Sequence, residues 1–363
     1  LLAIPWASLT LALAFGWVLC PPAVPGVVPI LEQGLELSGR AVEFVGDLPP
    51  SILRPIPVEV DWWAACLLST LLTAFLLSRG WLQVGLGVCL GAALVLSRVD
   101  PPSHPEVVLI DVGQGDAILL RDGEAALLVD GGGWSRSDIA QRILIPTLAR
   151  LGVRRLRGMV MTHPDVDHCA GLLGLASYLP IDVLYTAPGW HRERCAMELL
   201  ARPGPQARPL WRGEQLELGR WKLRVLHPGA GSRQGRNDRS IAILAATGRY
   251  RVVLTGDLER AGELAIVAHD EPIGHGSIDI LKVAHHGSQT SSSPELLARL
   301  RPRLALISCG SGNRYGHPAE VTLKRLALVR ARVFRTDLHG AVRVSLAADG
   351  HWRIVLPGLP KSH

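Results

Sequence analysis

The densest chemistry in the chain is Thr162-His163-Pro164-Asp165-Val166-Asp167-His168, where two imidazoles and two carboxylates fall within six residues. The run follows directly on the apolar segment Gly158–Met161, which reads as a strand. A strand end that turns into a helix start splays such side chains into one concave spot. Four donors exceed the need of a single structural ion and suit a pair, which together activate a water and clamp both oxygens of a displacement. A polar turn with a capping Asp would not require both histidines. Further donors recur downstream: Asp257 in Leu254-Thr255-Gly256-Asp257, His285-His286-Gly287-Ser288 after the apolar run 279–284, and His317 ahead of Pro318, either lining the site or capping a helix. Upstream, Asp130 closes the run Ala126–Asp130 before three glycines. Asp111 and Asp116 flank a Gly-Gln-Gly turn, where Asp116 either supports the site from behind or simply makes the turn.

The elements that must position these residues alternate along the second part of the chain. Val107–Asp111, Ala117–Arg121 and Ala126–Asp130 read as short strands with Gly-rich turns. A helix over 138–150, a strand over 158–162, a helix over 168–178 and a strand over 182–186 follow. Lys222–Leu226, Ile241–Ala245 and Val252–Thr255 are further strands. Helices over 259–268, 294–300 and 318–329 alternate with strands over 279–284 and 304–308. Strands first and then mixed strands and helices, twice over, predict an α/β fold of two packed sheets with helices outside, an αββα sandwich spanning 106–356.

The first part of the chain has a different texture. The sequence is 48% hydrophobic, and the excess sits in the first hundred of its 363 residues. Leu1 to Cys20 is apolar and about long enough to span a bilayer, and Trp62–Ser78 and Trp81–Ser97 read as a transmembrane hairpin around Arg79 and Gly80. Trp62, Trp63 and Trp81 lie at run ends, as interfacial aromatics do. Between 23 and 60, Val28, Leu31, Leu35, Val42 and Val45 recur at helical spacing, as in a surface-lying amphipathic helix or a helix packed on the spans. Residues 1–99 are therefore expected to be a membrane region of about three transmembrane helices, joined to the rest by a Pro101-Pro102 linker. Counting positive charge inward puts Arg79 in the cytoplasm and the second part of the chain outside the cell membrane. The chain begins with Leu1 and shows neither a basic leader nor a small-residue cleavage site, which reads as the C-terminal piece of a longer protein or a misplaced start rather than a signal peptide.

A net charge of +6 suits a polyanionic partner or an anionic membrane surface. Arg154, Arg155, Arg157 and Arg233, Arg236, Arg239 form basic clusters that either track a phosphate backbone or are solvated surface charge. Aromatics make up only 5% of residues, and none interleave with the basic clusters as base-stacking residues would. The six cysteines show no CxxC or zinc-finger spacing, so no disulfide framework is expected, and Cys169 reads as a small buried hydrophobe.

The ligand run resembles the HxHxDH signature of the metallo-β-lactamase superfamily, with Asp165 where the middle His usually stands. The resemblance implies metal ligands at His163, Asp165, Asp167 and His168, with Asp130 orienting their loop and Asp257 bridging two ions. It implies a further ligand in the last motif, assigned here to His285, with His286 facing the scissile phosphate as contact or proton donor. The third-motif His has no obvious counterpart; His227 and Asn237 compete, and spacing favours Asn237. Asp111-Val112-Gly113-Gln114-Gly115-Asp116, the Asn237-x-x-Ser240 run, HHGS and Tyr315-Gly316-His317-Pro318 together resemble ComEC-type competence proteins. That family implies a membrane DNA-uptake protein whose hydrolase domain degrades the strand that is not transported. DNA, the membrane and other competence proteins are then its partners, with Asp167, His286 and His317 in catalytic positions. Soluble esterases share similar motifs, so a small-molecule (phospho)ester hydrolase and a non-catalytic DNA-binding transport module are the alternatives. A carboxylate in place of an imidazole hardens the first site and favours Mn²⁺ or Mg²⁺, with Zn²⁺ the alternative.

Overall fold

The strand alternation in the second part of the chain builds two sheets. In the first, β1 (Glu106–Leu109), β2 (Ile118–Asp122) and β3 (Ala125–Val129) form an antiparallel meander. From there β4 (Gly158–Met161), β5 (Val183–Thr186) and β6 (Gln206–Pro209) run parallel, and β14 (Val342–Leu346) and β15 (Trp352–Val355) return beside β1. The second sheet repeats the plan. Its antiparallel part is β7 (Gln215–Leu218), β8 (Trp221–His227), β9 (Ala242–Thr247) and β10 (Tyr250–Leu254). Its parallel part continues through β11 (Ile280–Lys282), β12 (Leu304–Ile307) and β13 (Arg332–Arg335). This computed structural model describes Glu36 and residues 101–133, 139–201, 205–230, 235–269, 273 and 277–356. The membrane spans and amphipathic segment expected over 1–99 lie outside the described residues, Glu36 apart, and no described helix is long and apolar enough to cross a membrane.

Side-chain alternation makes the layers. Val252 and Leu254 of β10, Ile280 of β11, and Leu304 and Leu306 of β12 join a core cluster that also holds both faces of the first sheet, Leu119 and Leu128 on one and Leu109 and Val160 on the other. Their neighbours Val253, Leu281, Ala305 and Ile307 point the other way and pack on Ile266 of α4 (Arg260–Ala268), Leu297 of α5 (Pro294–Leu300) and Leu326 of α6 (Glu320–Leu328). Leu148 of α1 (Ile145–Arg150) and Leu172 of α2 (Val166–Leu175) belong to the same cluster as the first sheet. The αββα sandwich expected from the sequence is thus the observed fold. Five strands of this domain give little sequence signal: β6, β7, β13, β14 and β15 are short and carry charged or exposed positions.

One expectation is corrected. Cys169 of α2 is joined by a disulfide to Cys195 of α3 (Arg194–Leu200), with Cα atoms 6.3 Å apart, well inside bridging range. The spacing of 26 residues carries no motif. The pair meets because α2 and α3 follow consecutive parallel strands and so pack side by side on one face.

Candidate metal centre

Parallel strands release the chain at their C-terminal ends, and here both sheets do so at one place. Thr162 and His163 leave β4, and Asp130 leaves β3. Asp257 follows β10, His285 and His286 follow β11, and Ser308 follows β12. Helix α2 starts at Val166, earlier than the sequence reading had it, so Asp167 and His168 project from its first turn. The helix approaches the Asp130 loop so closely that a Cβ on Gly131 would stand 2.7 Å from Leu172 N, which explains a glycine there. The Gly-Gln-Gly turn packs on the same helix: a Cβ on Gly115 would collide with the Asp167 carbonyl, which accepts the Asp116 N–H at 3.2 Å.

Asp130 is fully buried and fixes the ligand loop. Its Oδ1 accepts Thr162 N–H at 2.8 Å, and its Oδ2 accepts Thr162 Oγ1 at 2.6 Å and His168 Nδ1 at 2.8 Å. His286 Nδ1 donates to Ser308 O at 3.0 Å, with Asp116 Oδ1 at 3.4 Å. With both Nδ1 atoms engaged, the Nε2 atoms of His168 and His286 turn inward, buried and without a hydrogen-bond partner. They flank Asp257 Oδ2 at 3.2 and 3.4 Å, and Asp167 Oδ2 lies 3.4 Å from His286 Nε2. His163 Nε2 completes the set, 3.9 Å from Asp257 Oδ2. The groups His163–His168–Asp257 and Asp167–His168–His286 each bring their donor atoms within 4.8 Å of one another. Imidazoles held at Nδ1 by carboxylate or carbonyl, with Nε2 aimed at shared carboxylates, are the donor set of divalent-ion sites, so the residues present fit such ions.

Several expected ligands stand differently. His286 is buried in the cluster, whereas His285 is about one-fifth exposed, 3.9 Å from Asp257 Oδ2, with its Nδ1 3.3 Å from Glu259 Oε1. Burial therefore favours His286 as the ligand and leaves His285 facing outward, the reverse of the order expected. Asp165 is half-buried at the rim, with Oδ2 3.7 Å from His163 Nε2 and Oδ1 bound by Arg236 Nε at 2.7 Å. Asn237 opens a short turn (Asn237–Arg239) whose last link, Ser240, accepts the Asp257 N–H at 3.3 Å; this run reaches the site through Ser240. His227 is buried and donates Nε2–H to Asp238 O at 2.7 Å. His317 joins the rim, its ring 5.7 Å from that of His285 and 6.2 Å from that of His286. Of the basic residues, Arg155 and Arg157 pair with Asp182, and Arg239 stacks over Trp190 at 4.2 Å.

Lys282 was not singled out by sequence reasoning. It ends β11, is 1% exposed, forms an ion pair with fully buried Asp116, and donates to Gly256 O at 3.2 Å; Asp257 Oδ1 is 3.9 Å away. The signal was present: a lysine inside an otherwise apolar strand has no ready route to water. Against its burial, Lys282 and His286 hold Asp116 below the usual carboxylate range.

The field of the cluster is that of a cation site. Burial opposes charge on His168, yet Asp257 and Asp130 raise it well above the ordinary imidazole range; His286 is raised likewise, by Asp257 and Asp116. Burial and the neighbouring His168 bring His163 down to about 3, leaving a neutral imidazole. Burial and the facing histidines bring His317 down to about 4. Because the raised His168 and His286 keep protons that an ion must displace, metal affinity should rise with pH through the ordinary imidazole range and go on rising above it. Titration calorimetry in buffers of different ionisation enthalpy should read about two protons released per loaded site. A pH-independent affinity with no proton release would contradict this account of the donors.

The metallo-beta-lactamase superfamily model matches residues 110–311. The chain belongs to the metallo-beta-lactamase superfamily. The resemblance to ComEC-type competence proteins is borne out by curated relatives. The chain is similar to ComE operon protein 3 of Bacillus subtilis (29% identical over 80% of this chain and 40% of that protein). It is also similar to competence protein ComA of Neisseria gonorrhoeae (30% identical over 96% of this chain and 47% of that protein). The chain thus spans less than half the length of these relatives. Among solved structures it is similar to the metallo-beta-lactamase fold protein YhfI of Bacillus subtilis, with a TM-score of 0.45 at 14% identity over 69% of this chain and all of that one.

Proposed function

We propose that this domain is a metal-dependent phosphodiesterase that acts on DNA within a membrane DNA-uptake protein and degrades the strand that is not transported. The observation that carries the reading is the convergence of the unpartnered Nε2 atoms of His168 and His286 on Asp257 and Asp167, in a chain whose relatives are competence proteins. In this reading His163, Asp167, His168, Asp257 and His286 are the ligands, with Asp165 at the edge of the first site and the Asn237 run contributing through Ser240 behind Asp257. When bound, divalent ions supply Lewis acidity and an activated water. The chain's own residues do the rest: Asp130 and Ser308 hold the two imidazole rings, and Arg236, half exposed beside Asp165, offers a guanidinium to an incoming phosphate. His317 and His285 face the substrate side, where neutral His317 accepts or passes a hydrogen bond.

The test is hydrolysis of single-stranded and duplex DNA by the purified protein with Mn²⁺, Mg²⁺ or Zn²⁺ added separately. Turnover should be highest with Mn²⁺, because Asp165 brings a carboxylate oxygen to the rim of the first site where an imidazole usually stands. Asp165→His should move the preference toward Zn²⁺ and free Arg236. Equal activity with Mn²⁺ and Zn²⁺, unchanged by the substitution, would dismiss Asp165 as the selector, and no cleavage with any ion would dismiss the phosphodiesterase.

The domain is further proposed to lie outside the cell membrane, carried by a multi-pass region in 1–99. The Cys169–Cys195 disulfide supports this placement, since such bonds persist in oxidising compartments. Protease added to intact spheroplasts should remove the domain; full protection until lysis would reverse the topology.

A further inference from the structure

The turn Asn237–Arg239 is held from both sides of the metal centre. Ile241 N–H donates to Thr162 O at 3.1 Å, which joins the segment to the ligand run, and Ser240 Oγ accepts the Asp257 N–H at 3.3 Å. Behind it, His227 Nε2 donates to Asp238 O. The Asp238 side chain is buried and turns to α4: its Oδ1 accepts Glu259 N–H at 2.9 Å and Gly262 N–H at 2.7 Å. These are donors at the start of a nine-residue helix, and Glu259, the residue ahead of it, makes no side-chain cap. A carboxylate from a separate segment thus closes the positive end of α4.

We propose that Asp238 is a positioning residue of the metal centre: by capping α4 from across the fold, it fixes Asp257 where the His168 and His286 rings converge. The proposal rests on the ligand assignment above and adds to it a residue that is not itself a ligand. Glu259 follows Asp257 by two residues, so its bond to Asp238 pins the loop just beyond Asp257, while Ser240 pins Asp257 itself. The other links close a ring. Thr162 is bound to Asp130, Asp130 holds His168 Nδ1, and His168 Nε2 faces Asp257 Oδ2 at 3.2 Å. Asp257 belongs to one donor group with His163 and His168 and to another with Asp116 and His286, so a displacement of its loop is felt in both. Metal–donor distances tolerate only about 0.2 Å, so a small displacement is enough. Glu263, on the same helix, supplies the contrast. It is also buried, and it accepts Ser292 N–H at 2.6 Å and Ser293 N–H at 2.7 Å, which caps α5 rather than a ligand loop.

The experiment titrates Mn²⁺ by calorimetry into the metal-free full chain in detergent, unmodified and as Asp238→Ala, Asp238→Asn and Glu263→Gln. Asp238→Ala should weaken Mn²⁺ binding by about 10- to 100-fold, the scale on which residues behind metal ligands act. Asp238→Asn keeps an oxygen for both N–H groups and should stay within about threefold, since only the charge assistance is lost. Glu263→Gln should lower Tm yet leave Mn²⁺ affinity within about threefold. The paramagnetic resonance spectrum of the Mn²⁺-loaded chain gives a reading that helix stability alone does not move. Ions that share Asp257 are magnetically coupled, and Asp238→Ala should reduce that coupling in favour of isolated ions. Unchanged affinity and coupling in Asp238→Ala, or an equal loss of affinity in Glu263→Gln, would overturn the proposal. Should Asp238→Ala not fold, Ser240→Ala, which deletes only the acceptor of the Asp257 N–H, is expected to reduce the coupling, and an unchanged spectrum would overturn the proposal equally. DNA hydrolysis is read on the same samples. Asp238-dependent Mn²⁺ binding without cleavage by the unmodified chain would leave the clamp standing and remove the phosphodiesterase.

Discussion

Asp167→Ala should lower DNA hydrolysis by at least on the order of a thousandfold while leaving the fold intact. Asp167 projects from the first turn of α2, and its Oδ2 sits 3.4 Å from His286 Nε2, inside a group of three donors that includes His168. Burial works against its charge, but His286 and His168 hold the carboxylate well below its usual range, so it stays ionised in the cluster. An alanine removes the proposed ligand and one negative charge without unseating the helix, because α2 meets the Asp130 loop through backbone and Leu172 and is tied to α3 through Cys169. Metal content by elemental analysis, the circular dichroism spectrum and turnover should be measured on the same sample. Retention of both metal and activity would refute the assignment. Loss of the folded spectrum would show a structural residue instead.

The sequence made the ligand run legible because its four donors are nearly consecutive and follow a strand. Asp130 and Asp257 could be placed because each ends an apolar run. The order of His285 and His286 was not legible. Both adopt left-handed backbone conformations, with φ of 48° and 54°, so neither strand alternation nor helical phase tells which ring turns inward. Strain at two adjacent non-glycine residues is itself a mark of a functional turn. The Cys169–Cys195 pair and the Asp238 clamp depend on packing between segments far apart in sequence, and local spacing carries no trace of either. Asp165 was read as a ligand from its place in the run, and the structure sets it at the rim, 3.7 Å from His163 Nε2. What spacing could not supply was Arg236, which arrives from a separate loop to bind it.

Lys282 is the residue whose loss should cost most in stability. It meets Asp116 where neither side chain reaches solvent, Asp257 Oδ1 lies 3.9 Å from its ammonium, and Asp130 stands beside Asp116. Removing one partner of a buried pair leaves an uncompensated charge, which costs about 3–5 kcal/mol. Lys282→Met keeps the apolar stem and deletes only the ammonium, so the loss reports the charge rather than a cavity. For a domain of this size that amounts to a fall in Tm on the order of 10 °C in the metal-free protein. Two further outcomes separate electrostatics from packing. Added divalent ion should stabilise Lys282→Met more than the unmodified chain, because the ion restores positive charge beside Asp116. Combining it with Asp116→Asn, which neutralises the orphaned carboxylate, should recover much of the loss, as coupled partners do in a double-mutant cycle. Additive losses in the double variant, with no extra stabilisation by metal, would mean that Lys282 only fills space. The predicted coupling follows from where the ammonium lies: beneath carboxylates that must stay ionised and fixed before any ion arrives, it holds the empty site together without occupying it.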